Sequence, residues 1–181
     1  QAEQLELHIR KREGGLFSGM LFGSDPLIKE KTIMRVRGPM GTFTLNEEET
    51  QPIILLATGT GFAPIQSILL RLIEQQSQRQ VHLYWGGRNE AELYYAEQAA
   101  ELTGRLKNGS FTPVLSRADE NWNGARGYVQ QQVLSDHPVL SAHQVYACGS
   151  PAMITDSQEI LTGQGRLKND AFFSDAFSPA Q

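Results

Sequence analysis

The sequence predicts an α/β protein: an open parallel sheet with helices on both faces across residues 51–181, preceded across 1–50 by a β-rich segment with one small helix. Three observations carry this prediction. Apolar runs of strand length, such as Ile53-Ile54-Leu55-Leu56-Ala57, are continuous rather than alternating, as in strands covered on both faces. Stretches of helical periodicity separate them, at the spacing of parallel βαβ units. Ahead of Pro52 the pattern differs, with short runs broken by glycines.

Leu5, Leu7 and Ile9 alternate with Glu6, His8 and Arg10, and this period of two predicts a strand over 5–9. The chain enters that strand without a lead-in, which points to a fragment of a longer protein. Gly14-Gly15 ends it. Residues 16–22 read as a short helix with Ser18 near its start. Residues 32–36 read as a strand closed by Arg37-Gly38-Pro39, and 42–45 as another after the Met40-Gly41 turn. Past Pro52, strands are expected at 53–57, 81–85, 110–115 and 144–147. Helices are expected at 63–76, 90–102, 129–134 and 152–161. The aromatic tail Phe172-Phe173-Ser174-Asp175-Ala176-Phe177 predicts either an edge strand that buries its phenylalanines or an aromatic lid on a flat ring.

The net charge of −4 and the lack of a Lys/Arg run argue against a nucleic-acid partner. One cysteine, Cys148, allows neither an internal disulfide nor a four-cysteine cluster, so an iron–sulfur centre would have to lie outside these residues. No metal-ligand set is expected. The apolar stretches 53–57 and 65–73 are too short for a membrane span. The opening Gln-Ala-Glu-Gln lacks the features of a signal peptide, and a cytoplasmic location is the expectation.

In an open α/β sheet, ligands bind beyond the carboxyl ends of the strands, near the switch point in strand order. The loops there are the candidate site. After the first apolar strand comes Thr58-Gly59-Thr60-Gly61-Phe62-Ala63-Pro64. Glycines let backbone approach a ligand, a helix start offers unpaired N–H groups, and Pro64 suits a first helical turn. The functional reading is a diphosphate cradle; the alternative is an ordinary strand–helix turn, since Pro64 stands where the dinucleotide fingerprint has a small residue. On the cradle reading, a branched side chain at Gly61 blocks the ligand with little loss of fold. Gly86-Gly87-Arg88 and Ser116-Arg117 follow the next two strands, and each arginine is either a phosphate contact or a solvated side chain. Cys148-Gly149-Ser150-Pro151 follows the fourth. Its cysteine is either a buried small hydrophobe or part of the site.

Taken in order, Gly14-Gly15-Leu16-Phe17-Ser18, Arg37-Gly38-Pro39-Met40-Gly41, Gly59-Thr60-Gly61-Phe62-Ala63-Pro64, Cys148-Gly149-Ser150-Pro151 and Phe173-Ser174-Asp175-Ala176-Phe177 resemble the ferredoxin-NADP reductase superfamily. The likeness is to NAD(P)H-flavin reductases and to reductase components of oxygenases and deoxysugar dehydratases. It implies an antiparallel β-barrel that binds FAD or FMN, here partial and confined to 1–50, and an NAD(P)H-binding domain over 51–181. It implies hydride transfer from nicotinamide to flavin, then electron transfer to an iron–sulfur protein, a free flavin or an oxygenase component. By the same resemblance, Gly14, Gly15 and Ser18 belong at the flavin phosphates, and Gly59, Thr60, Gly61 and Pro64 at the NAD(P)H diphosphate. Cys148, Gly149 and Pro151 belong beside the nicotinamide, and Phe177 near the isoalloxazine. Cys148, Thr60 and Phe177 are the candidate catalytic residues.

The family's Arg-x-Tyr-Ser type motif is absent, so flavin retention by this chain is an open expectation. NADPH use at least as good as NADH is expected, with Arg117 beside Ser116 as the 2′-phosphate contact, Arg88 as the alternative and Tyr128 as a further candidate. Asp119 and Glu120 oppose that charge. The competing readings are a nicotinamide-binding fragment without turnover and a regulatory domain that has kept only the fold.

Overall fold

The apolar runs become the centre of a six-stranded, wholly parallel sheet in the computed structural model, which describes residues 5–38 and 40–177. Its strands are β1 (Ile53–Thr58), β2 (Val81–Gly87), β3 (Gly109–Leu115), β4 (Ala125–Arg126), β5 (Gln144–Gly149) and β6 (Phe172–Ala176), in the order β4-β3-β2-β1-β5-β6. β1 lies in register with both neighbours, Ile53 opposite Val81 on one side and Gln144 on the other. Successive side chains of β1 serve two cores, as a period of two requires. Ile53, Leu55 and Ala57 face α2 (Phe62–Glu74) and α3 (Ala96–Gly104). Ile54 and Leu56 face α4 (Val129–Asp136) and α5 (Pro151–Gly163). All strands being parallel, their following loops gather at one edge.

The sequence-based elements of this part stand, with two differences. The expected helix over 90–102 is a 3₁₀ turn, Glu90–Glu92, followed by α3. Leu93 and Tyr95 leave helical geometry between them, where Leu93 is buried and Tyr95 packs on the same core. Burial of both side chains outweighs helical continuity. β4 was not expected: two residues without an apolar pattern carry no strand signal. It is held by Arg126, whose guanidinium donates to the carbonyls of Ala118 (3.1 Å), Asp119 (2.7 Å) and Trp122 (2.8 Å). The C-terminal aromatics form β6, so the edge-strand alternative holds for Phe172 and Phe173. Phe173 lies opposite Tyr146 in β5 and stacks on it, with ring centroids 4.8 Å apart.

The chain divides into two compact units, residues 1–42 and 43–181. In the first, α1 (Leu16–Phe22) forms as expected. The strands expected at 5–9, 32–36 and 42–45 do not form among the described residues. Alternation creates a sided ribbon, but a ladder needs a neighbour, and none is paired there. Phe43 and Leu45 pack instead against the core beneath α2 and α3. Pro39 of the Arg37–Gly41 motif and the Gln-Ala-Glu-Gln start lie outside the described residues.

Candidate functional site

Strand order reverses direction at β1. From there the chain builds outward to β2, β3 and β4 on one side, then to β5 and β6 on the other. The loops after β1 and β5 therefore diverge at a switch point, and they are locked to each other. Ser150 N–H donates to Thr58 Oγ1 (3.2 Å). A Cβ at Gly61 would overlap the Cys148 carbonyl oxygen and lie 2.8 Å from Gly149 Cα. Gly149 has φ +154°, and a Cβ there would run into Thr58 Oγ1 and come 2.9 Å from Met153 Cε. Gly61 and Gly149 are thus required by protein packing.

Gly59 is different. It takes φ +54°, and nothing lies within 4 Å of where its Cβ would be. The glycine loop is closed on its Gly61 side and open on its Gly59 side, so the expectation that a branched side chain at Gly61 costs little fold is corrected: it would displace the backbone of the Cys148 turn. The loop runs through a 3₁₀ turn, Gly59–Gly61, into α2, with Pro64 in the first turn of that helix. α5 begins at the same edge. Ser150 caps it by accepting Met153 N–H (3.3 Å), and Pro151 occupies its first position.

Cys148 is fully buried, and burial pushes its thiol up to about 12, with the Asp175 carboxylate acting in the same direction. It is a neutral thiol at physiological pH, packed in the core and unsuited to acting as a nucleophile or base. Phe177 is brought to this turn by its N–H, which donates to the Gly149 carbonyl (2.8 Å), and its ring is exposed. The structure thus brings Thr60, Cys148 and Phe177 to one region. Phe62, directly after the loop, stacks on Trp85 with ring centroids 4.1 Å apart and anchors the α2 start to β2.

The two arginines fare differently. Arg88 is chelated by Glu92, through Nε to Oε1 (2.7 Å), Nη2 to the same oxygen, and its backbone N–H to Oε2 (2.8 Å). This raises its affinity for its proton and ties it to a carboxylate. Glu92 went unread in the sequence, although its spacing of four from Arg88 was a usable signal. Arg117 lies beside it, its N–H donating to the Arg88 carbonyl (2.8 Å), and its side chain is exposed with no hydrogen bond or ion pair among the described residues. Ser116 is exposed, its N–H donating to the Gly87 carbonyl (2.9 Å). Tyr128 is exposed ahead of α4.

In the smaller unit, Gly14 takes φ +68°, and the buried Ser18 hydroxyl exchanges two hydrogen bonds of 3.1 Å with the Arg12 backbone. Among the described residues no group of His, Cys, Asp and Glu is arranged to hold a metal, and no helix is long and apolar enough to cross a membrane.

Residues 55–159 match the model of the oxidoreductase NAD-binding domain. The chain is 44% identical over 180 residues to the CDP-6-deoxy-L-threo-D-glycero-4-hexulose-3-dehydrase reductase of Yersinia pestis, covering 98% of this chain and 52% of that protein. It is 30% identical over 176 residues to the NAD(P)H-flavin reductase of Vibrio harveyi, covering 97% and 74% respectively. A ferredoxin NADP+ reductase from Neisseria gonorrhoeae, solved with bound FAD and NADP, shares the fold at a TM-score of 0.68 and 21% identity, over 92% of this chain and 71% of that one. The chain thus spans about half the length of the dehydrase reductase and about three quarters of the flavin reductase. The family match, with the likeness to the flavin reductase, places the chain in the oxidoreductase NAD-binding domain family.

Proposed function

We propose that this chain is the NAD(P)H-binding half of a flavoprotein reductase that delivers electrons to an iron–sulfur protein, a free flavin or an oxygenase component. The observation that carries the reading is the switch point itself, where two glycine turns lock together and leave Gly59 facing open space at the start of α2. A diphosphate fits there, because small residues, positive φ and a helix start supply approach and unpaired N–H donors. When bound, the nicotinamide supplies a hydride and the flavin, FAD or FMN, accepts it. The chain's own residues bind, orient and exclude water. Gly59, Thr60 and the α2 start hold the diphosphate, with Gly61 and Pro64 shaping the turn. Cys148, Gly149 and Pro151 form the wall beside the nicotinamide, and Phe177 covers the flavin side. Arg117, with Ser116 and Tyr128 near, reads the 2′-phosphate. Arg88, held by Glu92, is the poorer candidate.

On the same reading residues 1–50 are a partial β-barrel whose Gly14, Gly15 and Ser18 meet the flavin phosphates, and the protein acts in the cytoplasm. The name of the flavin reductase supports the flavin as an acceptor. A nicotinamide-binding fragment without turnover is the second reading. It is favoured by the lack of strand pairing among the described residues of the smaller unit and by Ser18's bonds to Arg12. The test is absorbance of the purified chain and titration with NADPH. A yellow, NADPH-binding preparation supports the first reading, and a colourless one that binds NADPH supports the second. A preparation that binds neither flavin nor NADPH rejects both.

A further inference from the structure

Residues 118–127, between Arg117 and Tyr128, join β3 to α4 and hold only the short strand β4. Arg126 organises them. Its exposed guanidinium reaches back across the loop, donating from Nη1 to the Ala118 carbonyl (3.1 Å) and from Nη2 to the carbonyls of Asp119 (2.7 Å) and Trp122 (2.8 Å). Ala118 directly follows Arg117, and Arg126 stands two residues before Tyr128, so one side chain closes the loop just inside both candidate contacts. Trp122 completes the closure. Its Nε1 donates to the Ala125 carbonyl (3.0 Å), and its ring packs with Ala118 against the core beneath α2 and α3. A Cβ at Gly124 would come 2.5 Å from Trp122 Cζ2, so the indole takes the space of any side chain there. The charges are sorted as well. Arg126 bonds to neutral carbonyls and makes no ion pair among the described residues, so its charge is not cancelled, whereas Arg88 is chelated by Glu92. Asp119, the carboxylate nearest to Arg117 in the sequence, accepts Asn121 N–H (2.9 Å) and is engaged within the loop. A planar guanidinium holds several carbonyls in one fixed arrangement, while an ammonium on a flexible stem keeps the charge without the geometry.

We propose that Arg126 is a positioning residue for the choice of dinucleotide: it clamps the loop after β3 so that Arg117 meets the 2′-phosphate, and thereby favours a phosphorylated nicotinamide dinucleotide over an unphosphorylated one without touching either. The proposal rests on the reading above that Arg117 takes the 2′-phosphate. It moves the origin of selectivity from one exposed side chain to the loop that carries it. An arginine on a loose loop loses affinity to the ordering that binding requires, and on a clamped loop that ordering is already done.

The experiment is calorimetric titration of the full chain with NADP+ and with NAD+, for wild type, Arg117→Ala, Arg126→Lys and the double variant. Arg126→Lys keeps the positive charge and removes the fork that spans three carbonyls. Hydrogen exchange accompanies it: the amides of Asn121 and Trp122, both bonded to Asp119, should exchange faster in Arg126→Lys, while β1, β2 and β5 stay within about twofold. NADP+ affinity should fall about tenfold in Arg126→Lys, the worth of the charge-assisted contact it supports, with NAD+ affinity within about twofold. The double variant should lose about tenfold, as Arg117→Ala does, rather than about a hundredfold, because two residues acting through one contact do not add. A wild-type ratio of NADP+ to NAD+ affinity in Arg126→Lys, an equal fall for both dinucleotides, or additive losses in the double variant overturns the proposal and leaves the Arg117 reading standing. Wild-type NADP+ affinity in Arg117→Ala overturns that reading, and the proposal with it.

Discussion

At Gly61 any side chain would collide with the backbone of Cys148 and Gly149, and neither strand can yield without moving the sheet. Gly61→Ala is therefore expected to cost about 3 kcal/mol of stability, the upper end of forced overpacking. Denaturant unfolding checks it. Gly59→Ala should cost only about 1–2 kcal/mol, from its positive φ, and should weaken NADPH binding because the new methyl enters the open cradle. The two substitutions separate a packing glycine from one proposed to bind, a distinction invisible in the sequence, where both read as ligand-facing. It became legible only through the partner strand, since Cys148 lies far along the chain. Cys148 also shows where sequence reasoning stops: its position at a strand end was readable, but its full burial depends on neighbours. Arg117 and Arg88 looked alike for the same reason. Arg117→Ala is expected to lower NADPH affinity about tenfold, the worth of a charge-assisted contact, and to leave NADH affinity within about twofold. Paired titrations check this, and Arg88→Ala, which releases Glu92, should not reproduce it.

Among the elements, α4 is tied to β2 and β3 by a polar chain. The Tyr84 hydroxyl donates to Asp136 Oδ2 (2.8 Å), which leaves it to accept from His82 Nδ1 (2.9 Å). Thr112 Oγ1 then donates to His82 Nε2 (2.8 Å), and His137 Nε2 lies 3.2 Å from His82 Nδ1. Burial first, and the neighbouring His137 second, hold His82 down at about 4 against an ordinary 6.5, with Asp136 opposing. Burial lowers His137 and His143 as well. Neutral imidazoles fit this network, and the unfolded chain takes up protons first. Stability should therefore be complete above about pH 6.5 and should fall as pH drops toward 4, by on the order of 2 kcal/mol from His82 after allowance for partial solvent screening. Thermal melts across that window check the slope, and His82→Gln should flatten it. Strands and helices of this part were legible because their apolar periods are long. β4 and the break before α3 were not, because one depends on Arg126 reaching three carbonyls and the other on Leu93 and Tyr95 finding the core.

At the scale of the molecule, residues 43–181 hold the sheet, both of its cores and every candidate nicotinamide contact, whereas Gly14, Gly15 and Ser18, proposed to meet the flavin, sit in the smaller unit. Nicotinamide binding is therefore expected of this chain whether or not flavin is retained. The family resemblance was legible from five short motifs in order, while the partial barrel was not reproduced as paired strands among the described residues. Strand pairing is a property of neighbours, which a local alternating pattern cannot supply. NAD(P)H is proposed to bind where β1 and β5 diverge. The most direct test is an amide-resolved NMR titration of the chain with NADP+. The largest shifts should fall on 59–62, 116–117, 149–150 and 152–153, at the carboxyl edge of the sheet. Saturating shifts centred instead on the opposite edge, around His82, His137 and Gln144, or no saturable shifts at all, would contradict it.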